Sequence, residues 1–225
     1  PFSDSNFTSN IEYDTSGYQN DGKITNSNYI SANTVAPRYD SCYKLLNGAS
    51  VYVTSPDFNF ESMSQGTVSM WLNRHSTDST WRNYLLFANA FNWTGSEYDF
   101  IIYGSTGEQG ITMDCCSCTY TFTPELNTWY LYTLSWDLTT HTAKFYINGE
   151  LKGSKTDNKI GITYASKHGQ HYIGNASYQT SDYSISDFRL YTTVLSDTAI
   201  KELYNTPISL TNNGTLMTQG EFKEL

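Results

Sequence analysis

Cysteine, proline and charge are all scarce in this chain of 225 residues, which carries 4 Cys, 5 Pro and only 16% charged side chains. Each shortage narrows the field. Cys115, Cys116 and Cys118 crowd together while Cys42 stands apart, and a structural zinc site wants four ligands in two separated pairs, so a zinc reading must recruit Cys42. A disulfide from Cys42 to the cluster is a second reading for an oxidising compartment, and it leaves a neighbouring pair that bonds poorly to itself. Buried small hydrophobes on a strand, with the rest exposed, are the third. Basic residues are the scarcer sign: 13 Lys and Arg face 22 Asp and Glu, for a net charge of -9. That removes the cationic surface on which nucleic-acid binding depends, and no nucleic-acid partner is expected. No run approaches the roughly 20 apolar residues of a membrane span, so no membrane insertion is expected either. The chain opens on Pro1 rather than Met, which reads as a processed product or a piece of something longer.

What the chain has in quantity is aromatic: 19 Tyr, 11 Phe and 5 Trp, set among Ser, Thr and Asn. Such a profile suits β-sheet faces, and abundant Tyr also suits extracellular or virion-surface binding, because a ring gives contact area at low entropic cost. At this length one large all-β domain suffices, since sandwiches and barrels reach about 200 to 250 residues as a single unit.

Asn127 to Lys155 organises the rest. A strand is expected from Trp129 to Trp136 and another from Ala143 to Ile147, followed by Asn148-Gly149. Both turn residues tolerate the positive φ of a two-residue hairpin turn. Alternation puts Phe145 and Ile147 on one face and Tyr146 and Leu151 on the other, so both faces have something to bury. That belongs in a layered sheet.

Three separated motifs carry a family resemblance. W-Y-L-Y-T-L-S-W with A-K-F-Y-I-N-G-E-L, D-T-S-G-Y-Q-N-D-G (Asp14 to Gly22) and I-S-D-F-R-L-Y-T-T-V-L-S-D-T-A-I (Ile185 to Ile200) resemble laminin-G-like jelly rolls of the concanavalin type. The resemblance covers about residues 11 to 206. It implies an all-β, two-sheet antiparallel jelly-roll sandwich with one short C-terminal helix, a domain over residues 1–206, and an extension or linker over 207–225.

Local patterns fit this plan. Tyr43 to Thr54 reads as two strands around Asn47-Gly48, closed by Pro56. Val68, Met70 and Leu72 give the strand from Gly66 to Leu72 an aliphatic face, and residues 73–82 read as a polar loop. Further strands are expected at Tyr84 to Ala88, Tyr98 to Tyr103, Gly110 to Cys116, Tyr120 to Phe122 and His171 to Gly174. In Ile185 to Tyr191, alternation groups Ile185, Asp187, Arg189 and Tyr191 on one face. Ser196 reads as a helix N-cap, with Ile200, Leu203 and Tyr204 as the apolar stripe, and the helix stops before Pro207.

Candidate site residues come from two sources. The turn cluster from Asp14 to Gly22 offers the oxygen donors that calcium takes, although its spacing alone favours a plain Asx turn. The resemblance implies a structural Ca2+ where this loop meets the acidic residue of an I-D-x-x-R-I-Y strand, which points to Asp14, Asn20 and Asp187. Among loop aromatics, Trp81, Trp93 and Tyr98, joined by Tyr178, are candidates for stacking on pyranose faces; capping the ends of the sandwich is the competing role.

An enzyme needs more than the chain supplies. Glu97 and Asp99 share a strand face, but Ile101 stands where the third acid of an E-x-D-x-E pattern belongs, and a glycosidase needs its pair of carboxylates. Neither G-x-S-x-G nor H-E-x-x-H occurs. The His168/His171 pair reads as exposed loop histidines or as a metal pair. The sequons at Asn6, Asn92, Asn175 and Asn213 matter only in a eukaryotic secretory pathway. The reading is therefore a non-catalytic recognition or adhesion module at an extracellular or virion surface. It would be part of a phage tail, fibre or bacterial surface protein, bind a glycan or host-surface component, and gain any oligomeric state through its parent protein. A glycoside hydrolase of the same superfamily and a structural decoration domain are the alternatives.

Overall fold

The computed structural model describes residues 11–12, 22–25, 30–33, 42–45, 50–53, 63–75, 82–87, 100–105, 108–113, 118–157, 171–174 and 183–205. One four-stranded sheet joins β1 (Ile11–Glu12), β2 (Gly22–Thr25), β5 (Ser50–Val53) and β14 (His171–Gly174), in that order. A second has the order β10 (Cys118–Phe122), β9 (Glu108–Met113), β8 (Phe100–Ser105) and β7 (Arg82–Phe87), and β7 lies beside β14. Opposite runs a seven-stranded sheet. Its order is β13 (Glu150–Thr156), β12 (Thr142–Ile147), β11 (Trp129–Asp137), β6 (Gln65–Arg74), β15 (Tyr183–Tyr191), β4 (Cys42–Leu45) and β3 (Ile30–Asn33). Among the described residues every strand pair is antiparallel.

Directly paired residues share a face, so the register fixes the core. Tyr132, Leu134 and Trp136 of β11 stand opposite Met70, Val68 and Gly66 of β6, and opposite Ile147, Phe145 and Ala143 of β12. All are buried. Gly66 is required there, because a Cβ would lie 2.3 Å from the Trp136 ring. From the other layer, Phe122 of β10 sets its ring 5.6 Å from that of Tyr132, so two sheets enclose an aromatic interior.

The hairpin turn forms as its sequence requires, with φ of 53° at Asn148 and 75° at Gly149. Asn148 also ties the turn to β11, where its Oδ1 accepts from Leu131 N at 2.9 Å and its own N–H donates to Leu131 O. Leu151 departs from expectation. It pairs with Tyr146, but a register slip separates Phe145 from Tyr146 and, among the described residues, β13 is the sheet edge, where Leu151 is 45% exposed. The polar loop begins later than residue 73, because Asn73 and Arg74 stay in β6 and are buried between Trp129 on one side and Ser184 and Tyr183 on the other.

The helix α1 (Asp197–Asn205) closes the described chain. Ser196 caps it, its Oγ accepting from Ala199 N at 3.1 Å. Ile200, the centre of the expected stripe, is fully buried.

Candidate functional site

Three features of the described residues bear on function. The first is a bulge in β15. Ser186 pairs with Trp71 and Arg189 with Ser69, so Asp187 and Phe188 together face Met70 alone. Asp187 takes the left-handed conformation, φ 49°, which a short polar side chain tolerates better than most. One inserted residue reverses the alternation: Ile185 and Leu190 join the core row with Leu72 and Val68, while Arg189 and Tyr191 move to the outer face beside Ser69 and Thr67. The expected grouping of Ile185, Asp187, Arg189 and Tyr191 is corrected by that count.

Asp187 is 2% exposed, and its Oδ1 accepts from Arg189 Nε at 2.6 Å. Burial disfavours the guanidinium charge, but the charge and hydrogen bond of Asp187, with help from Tyr191, outweigh it and hold Arg189 more firmly protonated than usual. A carboxylate is the donor type calcium takes, so Asp187 fits that role by chemistry, though any ion meets it already paired with Arg189. Asp14 and Asn20 lie outside the described residues.

The second feature is the outer face of the seven-stranded sheet, which the protein covers with its own segment 193–204. Thr67 Oγ1 donates to Thr193 O and accepts from Leu195 N. Trp71 stacks on Tyr204 with ring centroids 5.6 Å apart. At the first turn of α1, Asp197 Oδ1 accepts from Tyr146 Oη at 2.8 Å and from Lys144 Nζ at 3.2 Å. Burial and this bond raise the Tyr146 phenol, while the Tyr146 and Lys144 bonds lower Asp197. The lowered carboxylate contributes stability above pH 3.8 and loses it as pH falls through its folded value; the raised phenol's contribution is intact below pH 10 and fades above. Between those limits the tether does not change with pH. Tyr146→Phe is expected to cost about 1 kcal/mol in urea melts at pH 7. Asp197→Asn should flatten the acid limb of stability below pH 4, and a limb unchanged by that variant counts against the tether.

The third is an aromatic edge where β10 meets β11 and β13. Tyr120 and Phe122 stack at 6.4 Å and 20°, and Phe122 meets Tyr130 edge-on at 5.6 Å. All three residues are half-buried. Tyr130 Oη accepts from Glu125 N, which fixes the ring. His75, expected in a loop, pins the turn before Tyr130 by bridging Asn127 Oδ1 at 3.0 Å and Ser184 Oγ at 2.8 Å. Tyr120 leans over Gly153, where an added Cβ would stand 3.5 Å from its ring. On β13, Lys152 is held by Glu150 at 2.6 Å, and Lys155 lies 3.7 Å from Asp157. Sequence reasoning passed over this group. The signal was there, two aromatics at i and i+2 on a short strand, but not which partner strand lay beneath.

The other expected residues, Trp81, Trp93, Tyr98 and Tyr178, lie outside the described residues, as do Glu97, Asp99, Cys115, Cys116 and His168. Cys42, Cys118 and His171 fall in strands whose backbone alone is described. Among the described residues no helix is long and apolar enough to cross a membrane.

The family model for the concanavalin A-like lectin/glucanases superfamily matches residues 47–201. Comparison with curated proteins gives no match. Solved structures similar to this chain include the binding domain of botulinum neurotoxin DC in complex with rat synaptotagmin II, at 18% identity and TM-score 0.63, covering 86% of this chain and 48% of that one. The same binding domain in complex with SialylT is similar at 18% identity and TM-score 0.61, covering 86% and 47%. The botulinum neurotoxin serotype D binding domain matches at 20% identity and TM-score 0.61, covering 86% and 48%. The chain thus spans about half the length of these structures, and the likeness is one of fold.

Proposed function

Because this chain belongs to the concanavalin A-like lectin/glucanases superfamily, we propose that it is a non-catalytic recognition module that holds a glycan or a host-surface component. Its setting would be a phage virion or bacterial surface protein. The observation that carries the reading is the filled outer face. A polysaccharide-cutting cleft needs an open groove with two carboxylates flanking the bond. On the seven-stranded sheet that space is taken, as Trp71, Tyr146 and Thr67 pack against Tyr204, Asp197 and the 193–195 segment. The similar toxin domains support recognition as the task, since one is described with synaptotagmin and another with SialylT. Trp81, Trp93, Tyr98 and Tyr178 belong to the proposed contact surface.

A structural calcium ion at Asp14, Asn20 and Asp187 is part of the proposal, with the ion joining the N-terminal loop to the bulged strand. Thermal melts in millimolar calcium, at or above the dissociation constants of about 10⁻⁴–10⁻³ M of extracellular modules, and in EDTA test it. A lower midpoint in EDTA is expected, and identical midpoints at millimolar calcium remove the ion.

The function is tested by binding to a glycan array and to intact bacterial and animal cells, alongside reducing-sugar release from polysaccharides. Retention on glycans or cells without release is expected. Sugar release would return the chain to the hydrolases, and absence of retention on every surface would leave the decoration reading.

A further inference from the structure

We propose that the 193–205 segment is a strap that lifts off the seven-stranded sheet as one unit while the sandwich stays folded, and that polar atoms buried without partners beneath it favour the lifting. The motion is a property of the fold, independent of what the chain recognises.

The buried atoms come first. Trp71 Nε1, Thr133 Oγ1 and Ser186 Oγ have no hydrogen-bond partner among the described residues, in side chains whose residues are 2%, 0% and 0% exposed. All three belong to the outer face and lie close together. Ser186 stands directly opposite Trp71, and Thr133 sits on the diagonal, two residues along β11 from Leu131, which pairs with Trp71 on its other side. The strap covers the first two: Tyr204 stacks on Trp71, and Tyr146, which stands opposite Thr133, donates to Asp197. A polar atom buried without a partner raises the free energy of the closed state, and water satisfies it once the cover is gone.

The strap itself holds lightly. Ile200 is the one buried residue of α1, and the last turn carries no basic side chain to match the helix dipole. Its ties to the sheet are mostly polar. Thr67 Oγ1 joins Thr193 O and Leu195 N, and Asp197 meets Tyr146 and Lys144. The Lys144 and Asp197 side chains are 35% and 59% exposed, so water weakens that ion pair. Little apolar area therefore opposes opening of the strap, whereas β6 and β11 bury Val68, Met70, Leu72, Leu131, Tyr132 and Leu134. Opening uncovers Trp71, Thr133 and Tyr146, so the chain has a closed state and a second state with a polar, aromatic-bearing sheet face.

Amide hydrogen exchange of the full chain, followed by NMR over a urea series, reads the opening. Leu195 N–H is bonded to Thr67 Oγ1 across the seam, and Ile200 N–H to Ser196 O within α1. The expected result is that these two amides share one opening rate, roughly a hundredfold above that of the β6 and β11 amides, with a urea dependence shallower than theirs but not zero. Tyr146→Phe should speed both by about fivefold. Thr133→Val keeps the shape and removes the buried hydroxyl, and should slow both by about fivefold, the opposite of what loss of a supporting group does. Leu195 and Ile200 amides that exchange with the rate and urea dependence of β6 and β11 overturn the strap, because the segment then leaves only with the whole fold. Different responses of the two amides to Tyr146→Phe overturn the single unit. Exchange unchanged or faster in Thr133→Val overturns the buried polar atoms as the cause.

Discussion

Asp187→Ala should lower the thermal midpoint by roughly 6–12 °C, from a loss of about 3 kcal/mol in a chain of this size. Two costs combine. Alanine is strained at the φ of 49° that Asp187 adopts, and the Arg189 guanidinium loses a carboxylate that is 2% exposed and 2.6 Å away. Because Arg189 is itself 29% exposed, water recovers part of its solvation, which keeps the estimate at the lower end for a broken buried pair. Asp187→Asn separates the terms: its amide oxygen still accepts from Arg189 and tolerates the backbone, so it should cost less than half as much. Asp187→Gly relaxes the backbone but removes the acceptor, and should fall between. Differential scanning calorimetry of the three variants checks the order, and an alanine variant within 2 °C of the parent would refute the account.

Gly149→Ala should cost about 2–4 kcal/mol and loosen α1. The residue sits at φ 75°, and an added Cβ would come to 3.0 Å from Lys201 Cα, 3.0 Å from Tyr204 Cβ and 3.4 Å from Ile200 O. Two of those atoms are backbone and the third is a Cβ, so none can swing aside; the helix must move as a unit, and the Trp71–Tyr204 stack with it. Gly153→Ala is the control. Its Cβ meets nothing closer than 3.5 Å, and it should cost under 1 kcal/mol. Urea melts followed by Trp fluorescence and near-ultraviolet circular dichroism would register the loss of the stack; equal midpoints for the two glycine variants would contradict the clash.

The same residues mark what the sequence disclosed. Asn148-Gly149 named its turn because few pairs accept two positive φ values, and Ser196 with Ile200 located α1 because capping and a 3.6-residue stripe are local properties. Val68, Met70 and Leu72 announced a core strand in the same way. The bulge at Asp187 was hidden, since it takes an aspartate where glycine would have been the warning and becomes visible only against Met70 across the sheet. Leu151 misled because its exposure follows from β13 standing at the edge of the sheet among the described residues, which is a matter of topology. The aromatic edge was unreadable for a related reason: Tyr120, Phe122 and Tyr130 come from two layers, and only packing brings them together.

One detail of strand order has consequences for biosynthesis. β15, the last strand among the described residues, lies between β6 and β4, so among those residues the early β3–β4 pair is bonded to the rest of its sheet through a segment made on the order of ten seconds later on a ribosome. Until residues 183–191 emerge, β6 and β4 both present bare backbone to the cell. A nascent chain stalled before Tyr183 would be a sticky half-sheet in need of a holding chaperone, and yield in a heterologous host should depend more on that interval than on the stability of the finished fold.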